Sequence, residues 1–435
     1  MSKDSSAAAK KTSPFRYGFA MFGTSIPINM FKSFAAIYYV DMLGLEMKKY
    51  SLVLLIYTFI DAIDNPVYGF LSDRTRTKWG RRRPWLLIGT PLLVLCFILF
   101  YNPPAIVQTE SGMLFVYMLL MYILTGTLDS LVNANYGALF PTLFKEDAER
   151  AKTNGIRQIC QLFAMVISIA LTPMITEKIG YRLTSLIYGI LALAVMMFCF
   201  TGCRENVDAY EEAEKPRLFD SLFALIKNPK FWIFGFAGAF YSAAFALISQ
   251  ALPFYVKYTL KLGGSATTIM LGVVLGVAVL GIVIWSVLVK KLSVMTVWRT
   301  GFIIMAVGFI PLFFANSLVS ASIIAAAMGF GIGACLITMD CIGAKIVDDD
   351  YRRHGIHREG IINSLVGVMN RLNGLYTSLS FFVAAQAFGF ENGDNPGPNP
   401  ALASRILLCV FPFIAMTVAT VITFFLKFPE EEQNG

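Results

Sequence analysis

The chain has 435 residues, of which 56% are hydrophobic and 15% are charged, and its mean hydropathy is +0.64. Soluble globular proteins carry about 25% charged residues, so this composition excludes that class and indicates a protein that crosses a membrane several times. The formal net charge of +8 does not indicate a nucleic-acid binder, because the basic residues lie in short loops, as membrane topology requires.

Hydropathy predicts twelve membrane-spanning helices, since about 20 apolar residues cross a hydrocarbon core of roughly 30 Å. Residues 1–14 are polar and the apolar stretch after them is too long for a signal peptide, so we expect no cleavable signal. The predicted spans are 15–42, 50–72, 84–102, 112–143, 152–176, 182–202, 230–257, 266–289, 297–316, 320–346, 360–389 and 401–427.

The orientation follows from Lys and Arg, which are concentrated in the segments that would be cytoplasmic if both chain ends lie inside the cell. The even number of spans agrees with this orientation. The loop 204–229 is the longest and the most charged, and we interpret it as a cytoplasmic linker. The predicted organisation is an N-terminal six-helix bundle at 1–203 and a C-terminal six-helix bundle at 230–435.

The stretch from Ile60 to Trp85 is the most informative part of the chain. It places Asp61 and Asp64 one helical turn apart in an apolar segment and then continues into a dense basic loop. A charge near the centre of a membrane helix costs about 2.5–3.5 kcal/mol on insertion scales. We therefore interpret the two acids as part of a path for a solute or an ion.

Further ionisable residues lie within the predicted spans, and together they would be very costly if they faced lipid. We expect them to face a polar cavity and to neutralise one another in part, and we predict a cluster of Asp61 and Asp64 with Arg371. A static ion pair that only orients helices is the alternative interpretation. The seven residues are Lys32, Asp61, Asp64, Asp129, Arg157, Asp340 and Arg371.

The sequence does not indicate an enzyme. His354 and His357 share a loop and lack partners for a catalytic or metal site, and the seven cysteines lack the spacing of metal ligands. No nucleotide-binding loop is present, which argues against transport driven by ATP. An open channel is also disfavoured, because two similar six-helix halves suit alternating access better.

With these residues identified, the chain resembles the glycoside–pentoside–hexuronide:cation symporters, the melibiose permease-like family of the major facilitator superfamily. Four segments carry the resemblance, which covers essentially the whole chain. They are YGFAMFGTS at 17–25, DAIDNPVYGFLSDRTRTKWGRRRPW at 61–85, the YIL and LFPTL segment at 122–143, and DYRRHGIHREG at 350–360.

The resemblance implies an all-α membrane protein with two six-helix bundles, twelve transmembrane helices and both termini in the cytoplasm. It also implies that a proton or a sodium ion drives uptake of a sugar-like solute, with no other cofactor. Asp61 matches the first family acid on the second helix, whereas the second family acid matches Asn65. The family acids on the first and fourth helices match Ser25 and Asn133, and a family aromatic residue matches Gly137.

We predict three groups of functional residues from the charges and the resemblance together. For cation coupling they are Asp61, Asp64, Asn65 and Ser130, with sodium, if it is the ion, at Asp61 and Asp64. For substrate binding they are Ser25, Lys32, Asp129, Asn133, Arg157 and Arg371. For a cytoplasmic gate of ion pairs between the halves they are Asp73, Arg74, Arg81, Arg82, Asp348, Arg352, Arg358 and Glu359.

The sequence-based expectation is thus a symporter in the inner cell membrane that imports a sugar or sugar acid. The positive charges at Lys32, Arg157 and Arg371 suit an anionic sugar such as a hexuronide or a sulfosugar. The alternative is transport of an amphipathic lipid or another organic anion on the same fold. We expect membrane lipid around the protein, and neither a nucleic acid nor an obligate protein partner.

Overall fold

A computed structural model describes residues 12–77, 79–144, 147–203, 228–289, 291–354 and 366–427. Within these ranges the regular structure is helical, and the β-type pairing is a single bridge between Thr77 and Gly80. The α-helices are α1 Pro14–Ala36, α2 Met47–Arg74, α3 Arg83–Phe100, α4 Ala105–Gln108, α5 Ser111–Leu143, α6 Asp147–Met165, α7 Thr172–Gly202, α8 Pro229–Phe254, α9 Gly264–Leu288, α10 Val294–Phe314, α11 Leu318–His354, α12 Asn373–Phe388, α13 Pro400–Arg405 and α14 Phe411–Phe424.

Eight helical stretches of the described residues are long and apolar enough to cross a membrane. One of them, Thr153–Gly202, covers two predicted spans, because Gly180 bends it with φ of 76°. Positive φ is easily adopted by glycine, which lacks a Cβ. The predicted spans that are not among the eight are 15–42, 50–72 and 360–389, which correspond to α1, α2 and α12 with the residues before it. These spans contain Ser25, Lys32, Asp61, Asp64, Asn65 and Arg371.

Four helices contain a short π-helical segment, a conformation that is rare in proteins in general. The π segments are Ile37–Met42, Val166–Leu171, Tyr255–Leu260 and Ile406–Val410. Two of them directly follow α1 and α8, the first helices of the two predicted halves. The halves therefore resemble each other in this local detail.

The first of two compact units contains the chain up to Phe31, Ile63–Ser168 and the residues from Ile179 to the linker. Its core includes Tyr17, Tyr136 and Cys199, all buried. Tyr17 and Tyr136 stack at 4.6 Å, and each hydroxyl donates a hydrogen bond to the backbone carbonyl of the other residue. These reciprocal bonds fasten α1 to α5.

The second unit contains Lys32–Ala62, Ile169–Lys178 and the described residues of the C-terminal half. Its α9 and α11 pack with backbones in close approach: a Cβ on Gly329 would lie 2.4 Å from the Val274 carbonyl oxygen, and one on Gly333 would lie 2.7 Å from that of Ala278. Small residues at such crossings are typical of membrane helices. The predicted linker 204–229 lies largely outside the described residues, so its role as a domain boundary stays a prediction.

Candidate functional site

One face of helix α2 is exposed and apolar, as expected of a surface in contact with lipid, and Asp61 lies on the opposite face. The exposed large apolar residues of α2 form a single stripe: Leu52, Leu55, Phe59, Ile63, Val67 and Leu71. Asp61 is nine residues after Leu52, which is about two and a half turns at 3.6 residues per turn. Its carboxylate is therefore directed away from the apolar stripe, and only 17% of the side chain is exposed.

Asp61 forms an ion pair with Arg371 of the C-terminal half within the second unit. Nη1 of Arg371 donates to the Asp61 carboxylate and also to the Asp61 backbone carbonyl at 2.8 Å. The Tyr57 hydroxyl donates to the same carboxylate oxygen, Oδ1, at 3.2 Å. We name Tyr57, Asp61 and Arg371 the arginine cluster. A charge-assisted pair of this kind compensates two charges at membrane depth.

Close packing of α12 against α2 holds the arginine cluster in place. A Cβ on Gly374 would lie 2.0 Å from Thr58 Oγ1, so any larger residue at this crossing would have to displace the Thr58 side chain. One turn further on, the Ser378 hydroxyl donates to the Ser51 carbonyl at 2.6 Å. Arg371 lies just before α12, three residues before Gly374 and seven before Ser378, and from there it reaches Asp61.

The predicted continuous span over 360–389 is interrupted next to Arg371. Helix is present at 366–371, a turn follows at Leu372, and α12 begins at Asn373. The Leu372 amide donates to the Met369 carbonyl, which is three residues back rather than four. Transporters often break helices near their binding sites. Hydropathy alone did not locate this turn, although Asn373 and Gly374 directly after it form a dipeptide that is typical of turns.

Asp64 belongs to the first unit and has its own hydroxyl donor. It is 9% exposed, and the Thr127 hydroxyl of α5 donates to its Oδ2 at 2.8 Å. Ser130, three residues after Thr127, is also buried. The side chain of Asn65 lies outside the described residues. Sequence reasoning missed Tyr57 and Thr127, although the spacing of four residues between Tyr57 and Asp61 is a recognisable helical signal.

Asp129 and Asn133 form a second polar pair on α5 in the first unit. Nδ2 of Asn133 donates to the Asp129 carboxylate, and Asp129 is buried whereas Asn133 is exposed. A Cβ on Gly137, one turn beyond Asn133, would meet no atom within 4 Å among the described residues. Open space therefore adjoins Asn133 where the family resemblance would place an aromatic side chain.

Arg157 of α6 lies among aromatic rings. Its guanidinium carbon is 5.8, 5.4 and 5.2 Å from the ring centroids of Tyr17, Tyr136 and Phe140. Such contacts stabilise a cation where water is scarce. Arg157 thus joins α1, α5 and α6 of the first unit.

Helix α1 is buried on all faces but one. Its accessible residues in the middle of the span recur every three or four positions: Phe22, Ser25, Asn29 and Lys32. Three of these four are polar, which is typical of a face toward water and not toward lipid. Ser25 and Lys32, predicted from the sequence to bind substrate, share this stripe with Asn29, which was not predicted.

On the cytoplasmic side, the predicted gate is only partly described. Arg82 donates to the Ser72 hydroxyl at 2.6 Å. Arg74, Asp348 and Arg352 are exposed. An ion pair at this side joins Lys230 to Asp349 at 3.3 Å within the second unit.

The remaining gate predictions have no structural counterpart here. Arg358, Glu359 and the side chains of Asp73 and Asp340 lie outside the described residues, and pairing of Arg81 across the halves stays a prediction. Among the described residues there is no group of three His, Cys, Asp or Glu side chains that could hold a metal ion. The identity of a coupling cation likewise stays a prediction.

Comparison with known proteins gives a family and several relatives. A family model described as MFS/sugar transport protein matches residues 16–430. The isoprimeverose transporter of Lactiplantibacillus pentosus is 25% identical over 86% of this chain and 81% of its own length. The glucuronide carrier protein homolog of Escherichia coli (strain K12) is 26% identical over 89% of this chain and 86% of its own.

A relative with a different cargo and a solved structure are also similar. The sodium-dependent lysophosphatidylcholine symporter 1 of Mus musculus is 26% identical over 92% of this chain and 82% of its own. The solved structure is a bacterial homolog of the human lysosomal transporter Spinster in an inward-facing, unoccupied conformation. It matches with a TM-score of 0.69 at 15% identity, over 94% of this chain and 95% of that one.

Proposed function

Because this chain belongs to the family of MFS/sugar transport proteins, we propose that it is a cation-coupled symporter that takes up a sugar or sugar acid by alternating access. Members of this family have the major facilitator fold and cross the membrane several times. They transport solutes and do not catalyse reactions. The finer elements of the proposal are the coupling cation and the class of solute. They rest on the polar groups of α1, α2, α5 and α12.

The ion pair between Asp61 and Arg371 is the observation that carries the coupling proposal. A carboxylate that binds a proton or a sodium ion loses much of its attraction for a neighbouring guanidinium. Cation binding at Asp61 would therefore weaken the contact between α2 and α12 and release Arg371. Loss of the cation would restore the contact, so that cation occupancy and helix packing depend on each other.

The solute assignment rests on two of the similar proteins, whose names specify isoprimeverose and a glucuronide. The half-buried Ser25 and Asn29 and the exposed Asn133 supply hydroxyl and amide groups of the kind that bind sugar hydroxyls. Lys32 and Arg371 could in addition bind a carboxylate, which keeps sugar acids among the candidates.

A lysophospholipid is the second candidate, because one similar protein is named for that cargo. A lipid headgroup phosphate would use the same cations as a sugar acid. A competition experiment distinguishes the two candidates. If the solute is a sugar, excess lysophosphatidylcholine in the vesicles should leave sugar uptake unchanged.

Uptake into proteoliposomes tests the proposal. Purified protein should accumulate xylose, glucose, isoprimeverose or glucuronate above equilibrium under either a proton or a sodium gradient. Asp61→Asn should abolish accumulation, since an amide cannot alternate between a charged and a cation-bound state, but it should retain exchange of solute across the membrane. Glu110→Gln, at an exposed acid preceding α5, is the matched control and should behave like the wild type. Accumulation by Asp61→Asn would overturn the coupling assignment.

A further inference from the structure

The exposed side of α6 is divided between amides and apolar side chains. Asn154, Gln158 and Gln161 are exposed at helical spacings of four and three residues, and we name them the amide stripe. The neighbouring exposed arc of the same helix is apolar: Ile159, Phe163 and Val166, with 57%, 59% and 38% exposure. The apolar arc suits lipid, whereas exposed amides at membrane depth require water or a polar ligand.

Cytoplasmic water at the end of α6 does not account for the exposure of the deeper amides of the stripe. The apolar helical stretch begins at Thr153, and Gln161 lies eight residues further on. At 1.5 Å per residue this is about 12 Å along the helix axis. Asn154 is close to the membrane surface, but Gln161 approaches the middle of a hydrocarbon core of roughly 30 Å.

The amides of the stripe have hydrogen-bonding capacity that the protein does not use. Within the described residues, Asn154, Gln158 and Gln161 form no side-chain hydrogen bond. Each primary amide offers two donor hydrogens and an acceptor oxygen. Polar groups in such a position are costly unless a ligand or water satisfies them.

Helix α1 places its polar stripe beside the amides. The Asn29 amide donates to the Ser168 hydroxyl at 3.0 Å, and this pair is 139 residues apart. Gly18 packs against Ile156 and Arg157: a Cβ there would lie 2.6 Å from Ile156 Cγ2 and 3.2 Å from the Arg157 backbone nitrogen, which are 138 and 139 residues further along the chain. The two helices therefore run parallel with an offset of 138 to 139 residues, and Gln161 lies about level with the accessible Phe22, one turn before Ser25.

We propose that Gln158 and Gln161 bind the hydroxyl groups of the solute's sugar ring and thereby set the specificity of the proposed symporter. This inference rests on the proposed function. Sugar hydroxyls both donate and accept hydrogen bonds, as primary amides do, and the stripe itself carries no charge. Arg157, the nearest cation on the helix, is occupied by aromatic rings. The ligand class recognised here is a neutral, hydroxyl-rich ring; an acidic substituent would bind elsewhere.

Uptake kinetics of single variants test the inference. With the best wild-type substrate among xylose, glucose, isoprimeverose and glucuronate, Gln158→Leu and Gln161→Leu should each raise KM about three- to tenfold, the loss of one or two hydrogen bonds. Gln161→Asn should fall in between. Ile159→Leu and Phe163→Leu on the apolar arc are the matched controls and should keep the wild-type KM.

A labelling experiment covers the case in which the leucine variants fail to fold. The Gln158→Cys and Gln161→Cys variants should react with a water-soluble methanethiosulfonate reagent above the wild-type background, and the same sugar should slow the reaction. The Phe163→Cys variant should stay unreactive. An unchanged KM in both leucine variants, or labelling that sugar does not slow, would overturn the inference. The proposed function would still stand in that case, provided that the wild type takes up sugar. Absence of any sugar uptake by the wild type would overturn both.

Discussion

Asp61 and Arg371 compensate each other's charge through one guanidinium nitrogen that donates to both the carboxylate and the backbone carbonyl of Asp61. The two side chains are only 17% and 24% exposed. A charge in such a place is far more costly alone than in its pair. Removing one partner should consequently damage the protein more than removing both.

Stability measurements on single and double variants test this expectation. Arg371→Gln leaves the Asp61 carboxylate without its cation and should lower the free energy of unfolding by about 1–3 kcal/mol. Adding Asp61→Asn should recover most of that loss, although the double variant should still not accumulate solute. Thermal unfolding in detergent provides the measurement, with Asp61→Asn alone completing the cycle. Equal losses in the single and double variants would show that the two charges do not compensate each other.

At the scale of helices, the packing of α12 on α2 decides where Arg371 lies. Gly374 touches Thr58 and Ser378 donates to Ser51, so the two helices meet over two further turns beyond Arg371. The turn at Leu372 separates this packed part from the helix before it. Coupling between cation binding and helix movement therefore requires that this contact open without unfolding α12.

Adding a methyl group at the contact between α12 and α2 tests how closely the two helices pack. Gly374→Ala places a Cβ 2.0 Å from Thr58 Oγ1, and such overpacking costs about 1–3 kcal/mol. We expect a lower unfolding temperature and slower uptake, with partial recovery on adding Thr58→Ala. Gly367→Ala, whose Cβ would meet no described atom within 4 Å, is the matched control. The contact would be looser than described if Gly374→Ala and Gly367→Ala behaved alike.

For the whole molecule, hydropathy and charge predicted the helical membrane architecture, because polar groups are costly in lipid. The predicted cluster of Asp61 and Asp64 with Arg371 is present in the pairing of Asp61 with Arg371, whereas the part of Asp64 in it stays a prediction. The same reasoning overlooked the turn at Leu372, although the dipeptide Asn373-Gly374 after it is typical of turns, and it could not find the π segments. It also overlooked Gln158 and Gln161, since uncharged amides give a weaker hydropathy signal than ionised groups. The roles of the gate residues remain predictions.

At the outer end of the second unit, contacts join residues that are far apart in the sequence. The buried carboxylate of Asp41 pairs with Lys257 and accepts a hydrogen bond from the Tyr258 hydroxyl. Backbone bonds join the same region to the loop before α13: the Gly393 amide donates to Val40 at 3.0 Å and the Met47 amide to Glu391 at 2.6 Å. The hairpin between α1 and α2 is thus tied to the C-terminal half at this end.

Hydrogen exchange can test whether Asp41 controls these ties. Asp41→Asn removes the charge that holds Lys257 but keeps an acceptor for Tyr258, so the outer contacts should loosen without global unfolding. A loss of about 1–2 kcal/mol in the local opening free energy corresponds to roughly tenfold faster exchange of the Gly393 and Met47 amides. Lys48→Gln, at an exposed lysine of the same hairpin, is the control and should leave both rates unchanged. If Asp41→Asn also left them unchanged, the backbone bonds would hold this end without a contribution from the ion pair.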